Sequence, residues 1–278
     1  MSDDTNVTTK DKKGAPSWAT GPFKEFIDHG QRLGHLLHLS MRGISVLRAM
    51  PRIVEVIAKV ESDDSEDTAR RLDSAQKEAD LAQREVNEGF PLLTAQTVIA
   101  LWSALEATIR LFLARWLQHD KDALEVDAVQ KLRVRIGEYQ QLKDDDRYFY
   151  ILDRLEQETS APLKCGVTRF ELLLEPFGLA GAVDEKDRRD LFELNQVRNC
   201  LVHRSGITDR RLVESCPWLN LTTGATLKVD SAMTNRYFDA AMSYTLALIV
   251  RLGERYGVDM SDVKNHSRAQ KDNASSAG

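Results

Sequence analysis

Cysteine is scarce in this chain, and the three present, Cys165, Cys200 and Cys216, stand far apart. No C-x2-C pair exists to hold zinc or to run dithiol chemistry, and the odd number excludes a fully paired disulfide framework. A reduced, cytoplasmic setting is expected. The polar N-terminus, without the apolar core of a signal peptide, agrees with it. Uninterrupted apolar runs are also missing. The richest stretch, 97–117, is broken by Glu106, Arg110 and Arg115, and the segment 36–60 carries Arg42, Arg48, Arg52, Glu55 and Lys59. Neither makes a convincing membrane span, so no membrane partner is expected. The second segment is basic and amphipathic, a pattern that suits packing on a partner helix or the core better than a lipid surface. A large excess of one charge is absent too. At −5 overall the molecule does not bind polyanions by bulk charge, and any nucleic-acid site must be a local patch. No G-x4-G-K-[ST], G-x-G-x2-G or G-x-S-x-G is present, so nucleotide hydrolysis and dinucleotide chemistry lack support and no cofactor is expected.

What the chain has in abundance is helical periodicity. With 278 residues, 42% apolar, it can bury a substantial core. The spacing predicts helices over 21–40, 41–61, 66–88, 91–118, 123–138, 147–158, 167–175, 184–204 and 231–256, with Pro51 starting or kinking one of them. The acidic run 61–67 reads as a solvated helix junction. Strand-like alternation is confined to 219–221 and 226–229 around Thr222-Thr223-Gly224-Ala225, a candidate small β-hairpin. The expected fold class is therefore all-α, a helical bundle divided into a disordered tail (1–18), an N-terminal helical extension (19–88), a main helical domain (89–258) and a loose C-terminal tail (259–278).

Within 91–118, Val98, Leu101, Leu105, Ile109, Phe112 and Trp116 form one apolar stripe, and Trp102, Leu113 and Leu117 make a second face. That helix should be covered on most sides. Glu106 sits among these residues and should seek a cation, because an unpaired buried charge is expensive. Arg110, one turn on, and Arg198 are the two partners considered. In the last helix, Met233, Tyr237, Ala240, Ala241, Tyr244, Leu248 and Leu252 form a core stripe.

The segment most charged with chemistry is Val197-Arg198-Asn199-Cys200-Leu201-Val202-His203-Arg204. An arginine grips phosphate through a planar fork of donors, and a histidine takes and returns a proton near neutral pH. Leu191, Leu194 and Val197 place the segment on a helix, and Gly206 can end it. From 197 to 211 four arginines stand against Asp209 alone, a local patch that suits a polyanion. On an ideal helix Arg198 and His203 point about 140° apart. They converge on one phosphate only if the helix distorts or a second copy faces the first.

The R-N-x3-H arrangement of Arg198, Asn199 and His203 resembles the R-x4-6-H signature of the HEPN ribonucleases. The resemblance extends over 91–256 and is specific for 190–209. It implies a HEPN-like helical core and a metal-independent endoribonuclease acting on single-stranded or looped RNA. The site would be composite, built across a homodimer. It implies catalytic roles for His203 as acid or base, Arg198 as phosphate clamp and Asn199 as an orienting group. Glu106 matches the acidic residue that several of these families carry on the helix packed against the motif, and Arg204 would add a phosphate contact. It also implies a toxin–antitoxin or antiviral defence role, with an antitoxin or regulatory protein as partner. The alternative is a non-catalytic HEPN-type module that dimerises and binds RNA or protein.

Three other groupings carry reactive or aromatic side chains. His29, His35 and His38 share a helical segment but have no carboxylate or thiol set beside them, so no metal site is expected. Cys200 stands three residues from His203, yet no oxyanion site accompanies it, and a small buried spacer is the simpler role. Tyr148, Phe149 and Tyr150 are a candidate base-stacking shelf, although adjacent positions on a helix point in different directions.

Overall fold

The computed structural model describes residues 14–159, 165–261 and 263. Among them are eleven α-helices and no β-strand: α1 Ser17–Leu47, α2 Met50–Glu61, α3 Glu66–Glu88, α4 Pro91–His119, α5 Asp127–Gln130, α6 Ile136–Gln141, α7 Asp146–Glu158, α8 Val167–Leu174, α9 Glu185–His203, α10 Arg210–Ser215 and α11 Ser231–Arg255. The protein is all-α, as its periodicity predicts.

Local chemistry explains most helix ends. Ser65 caps α3 by accepting from the Thr68 amide at 3.3 Å, and Asp63 accepts from the Thr68 hydroxyl at 2.7 Å. These bonds hold the Asp63 carboxyl below its ordinary range. Gly89, at φ 78°, supplies the left-handed residue that closes α3. Pro51 lies in the first turn of α2, where its missing N–H is no loss.

Four expectations need correction. The predicted break near residue 40 is absent. One helix runs to Leu47 and the chain turns at 48–49, just ahead of Pro51, because nothing at Ser40-Met41 interrupts the backbone ladder. The predicted helix 123–138 is instead a 3₁₀ turn, α5 and α6. Leu124, Val134 and Ile136 there are exposed, and a helix without a covered face is marginal. The hairpin does not form either. Pro217–Leu219 is a 3₁₀ turn, and Thr226 makes its single antiparallel bridge with Ile207. Finally, the helical part begins before residue 19. Ser17 and Trp18 belong to α1, and the Trp18 ring packs 5.6 Å from Trp116. Residues 1–13 and most of 259–278 lie outside the described residues.

Two compact units emerge, each discontinuous in sequence. The first comprises Met1–Glu25, Ala107–Asp187 and Met242–Gly278. It is held by Phe23 against Phe112 at 4.8 Å, by Phe170 against Tyr244, and by Glu171 accepting from Tyr244 and Arg251, each at 2.8 Å. The second comprises Phe26–Glu106 and Arg188–Ala241, so the helices of 26–88 share a unit with the Arg198–His203 motif. Inside it, Thr94 donates to the Val229 carbonyl at 2.6 Å.

Helix α4 is long and apolar enough to cross a membrane by length and composition. Its apolar residues are instead in the core: Val98, Leu101, Leu105, Ile109 and Leu113 are fully buried. The segment 36–60 differs: of its two expected settings, a partner helix or the core, its apolar stripe does not take the core. Leu36, Leu39, Val46, Ile53, Val56, Ile57 and Val60 are exposed.

A candidate RNA-binding cleft at the end of α9

Helix α9 is fixed by its inner face before its outer one can act. Leu191, Leu194 and Val197 are fully buried. Between them Glu193, also fully buried, accepts from the Tyr237 hydroxyl and an Arg236 nitrogen at 2.7 Å each, and from the Trp218 indole at 2.5 Å. Asp190 takes the other arm of Arg236 at 2.6 Å. A buried carboxylate so fully partnered locks α9 to α11 and to the 217–219 turn. Burial, then the neighbouring Glu193 charge, pushes the Tyr237 phenol far above its ordinary range. Sequence reasoning passed over Asp190 and Glu193. The signal was available, since carboxylates interleaved with Leu191 and Leu194 must find cations, the same argument applied to Glu106.

The helix ends at His203. Ser205 and Gly206 both take positive φ, and the Gly206 amide returns to the Cys200 carbonyl at 3.2 Å. The chain then runs against 222–227. Leu227 donates to the Gly206 carbonyl at 2.7 Å, Thr208 donates from its amide to Ala225 at 2.9 Å, and its hydroxyl reaches the Thr222 carbonyl at 2.5 Å. This clamp sets the position of Asp209, which caps α10 by accepting from the Leu212 amide at 2.9 Å.

Between the end of α9 and the start of α10 lies a cleft of about 380 Å³. Gln196, Asn199, Cys200 and His203 form one wall, one face of α9 at helical spacing; Arg204, Asp209, Arg211 and Leu212 form the other. His203 is exposed at its mouth. Arg204 makes a loose pair with Asp209 at 3.5 Å. The Cys200 thiol is buried, donates to the Ile207 carbonyl at 3.3 Å, and is pushed up by burial and then by the Asp209 charge. A thiol held neutral in this way is no nucleophile.

The structure thus brings Asn199, His203 and Arg204 to one cleft and leaves Arg198 off it, as the helical angle predicts. Arg198 donates to the Asn199 side-chain oxygen at 3.1 Å, and its Nε is shut from solvent without a hydrogen-bond partner. Glu106, half-buried on α4, is not among the partners of Arg198. Arg110 forms ion pairs with Asp153 and Glu156. Arg211 and Asp209 join the site from outside the motif. They were visible in the sequence as local charge, but nothing local says that the start of α10 shares a cleft with His203. The proposed aromatic shelf belongs to the other unit, where Tyr150 packs by Tyr139 and hydrogen-bonds Glu138 at 3.1 Å. His29, His35 and His38 are exposed, and among the described residues no three His, Cys, Asp or Glu side chains are grouped to hold a metal ion. No family model, curated protein or solved structure matches this chain.

Proposed function

We propose that the protein is a metal-independent endoribonuclease of single-stranded or looped RNA, working as a toxin or defence effector under the control of an antitoxin or other regulatory protein. One observation carries this reading: the exposed His203 imidazole opens onto a cleft that also presents Asn199, Arg204 and Arg211. An acid/base beside fixed cations is the minimum equipment for phosphodiester transfer.

In this reading His203 draws the proton from a ribose 2′-OH. The 2′-oxygen attacks phosphorus, the bond from phosphorus to the 5′-oxygen breaks, and a proton returned by the imidazole satisfies the leaving oxygen. The products are a 2′,3′-cyclic phosphate and a 5′-hydroxyl, and no water, metal or redox partner is consumed. Asn199 orients the phosphate with the amide nitrogen that its bond to Arg198 leaves available. Arg198 itself faces away from the cleft of its own chain, so the clamp role calls for a second copy and a site composed across a homodimer.

The position of Arg198 also favours a second reading, a non-catalytic module that holds RNA in the same cleft. Incubating the full chain with mixed RNA in EDTA, beside His203→Ala, separates the two. Cyclic-phosphate products lost with His203→Ala are expected. RNA bound but intact would select the module, and cleavage that needs a divalent metal or leaves 5′-phosphates would overturn the mechanism.

A further inference from the structure

The cleft contains more than the motif accounts for. Arg211, on α10, stands eight residues beyond His203 in sequence and lines the same cavity as the imidazole. Arg204 lies on the same wall, and its partner Asp209 holds it at 3.5 Å with both side chains substantially solvated. An ion pair of that length and exposure contributes little, so Arg204 exchanges it for a phosphate at low cost. Asp209 does not leave a bare negative charge in the cleft, because one oxygen caps α10 and the other faces Arg204. The opposite wall adds a neutral group. Gln196 is 4% exposed and lines the cleft from α9, and an amide N–H can donate to a phosphate oxygen without adding charge.

We propose that Arg204, Arg211 and Gln196 form a phosphate subsite for single-stranded RNA in the His203 cleft, with the two guanidinium groups gripping a backbone phosphate and the amide completing it from the α9 wall. The substrate phosphate is therefore held by cations of the same chain as the imidazole, independently of where Arg198 is directed. This deepens the ribonuclease reading and rests on it for the identity of the ligand.

The test uses the full chain and a single-stranded 2′-O-methyl oligoribonucleotide, which binds but offers no 2′-OH to attack. Binding is measured against salt. Each phosphate contact on a single strand contributes a slope of about 0.7 in log K against log salt. Arg211→Gln and Arg204→Gln should each weaken binding about tenfold and lower the slope by about 0.7. Gln196→Leu should weaken binding with the slope unchanged, because a neutral amide releases no counterion. Arg52→Gln, an exposed cation on α2, should change neither. Melting of each variant checks the fold. An unchanged slope in Arg211→Gln, an equal fall in Arg52→Gln, or no binding of the probe would overturn the subsite. The two readings fail separately. Arg211-dependent binding of the probe with ordinary RNA left intact removes the nuclease and keeps the subsite. Cleavage whose KM is untouched by Arg211→Gln removes the subsite and keeps the nuclease.

Discussion

On α4, Val98, Leu101, Leu105 and Ile109 recur at three and four residues and are all 0% exposed; on α2, Ile53, Val56, Ile57 and Val60 repeat at i, i+3, i+4 and i+7 and are 43, 53, 40 and 79% exposed. Both stripes obey the helical period, and only one is covered. The difference lies in the neighbours. Helix α2 packs against α3, whose buried residues are Ala75, Ala79 and Ala82. Three alanines permit close approach but cover little apolar area, and on α2 only Val54 is buried. A hydrophobic stripe shows that a helix can be stabilised by a neighbour; it does not show that the neighbour is in the same chain.

The sharpest way to break this contrast is inside the covered region. Glu193→Ala removes the acceptor shared by Tyr237, Arg236 and Trp218. Leaving those groups stranded should cost about 3–5 kcal/mol, read by denaturant unfolding with the midpoint and slope both followed. An effect below about 1 kcal/mol would mean that water enters the network.

Leu105→Ala and Ile57→Ala compare the two stripes directly. The first opens a cavity and should cost about 2–5 kcal/mol; the second, on an exposed position, should stay within about 0.5 kcal/mol. If Ile57→Ala proves as costly as Leu105→Ala, and its cost falls on dilution, a second copy covers α2 in solution.

A smaller effect comes from Tyr237→Phe, about 1–3 kcal/mol for one donor lost to a buried carboxylate. It also carries a pH signature. Tyr237 and Tyr244 are both raised above the ordinary tyrosine range, burial first and a neighbouring glutamate second. The folded state therefore holds these protons after the unfolded chain has begun to release them. The contribution is complete below about pH 10, the unfolded value, and is lost as pH rises beyond it towards the folded one. Stability should decline with alkalinity above that point, and Tyr237→Phe should make the decline shallower.

His203→Ala should have the smallest effect on stability, within about 0.5 kcal/mol, since the ring is exposed at a helix end. The same substitution should abolish RNA cleavage in the proposed mechanism. A large drop in melting temperature would instead place the ring in a structural role.

The bounds of α3, α4, α9 and α11 were legible within a residue or two because caps and apolar spacing act over a few residues. Ser65, Gly89 and Gly206 announce their turns in the sequence. The region 123–141 was not legible, because Leu124 and Ile136 satisfy a helical pattern that no neighbour covers. Of the candidate site, the divergence of Arg198 and His203 could be computed from the helical angle alone. The cleft itself could not. Its second wall depends on Thr208 bonding to Thr222 and Ala225, a contact between segments separated by a loop.

By itself, then, the sequence determined the helices, their ends, the core stripe of α4 and the opposite bearings of Arg198 and His203. All of these follow from backbone hydrogen bonds and rotations that span about four residues. The tertiary structure alone decided that Glu193 meets Arg236 and Tyr237, more than forty positions away, that Arg211 and His203 line one cleft, and that the stripe of α2 stays open. Burial and partnering are properties of what arrives from elsewhere in the chain, and no local period encodes an arrival.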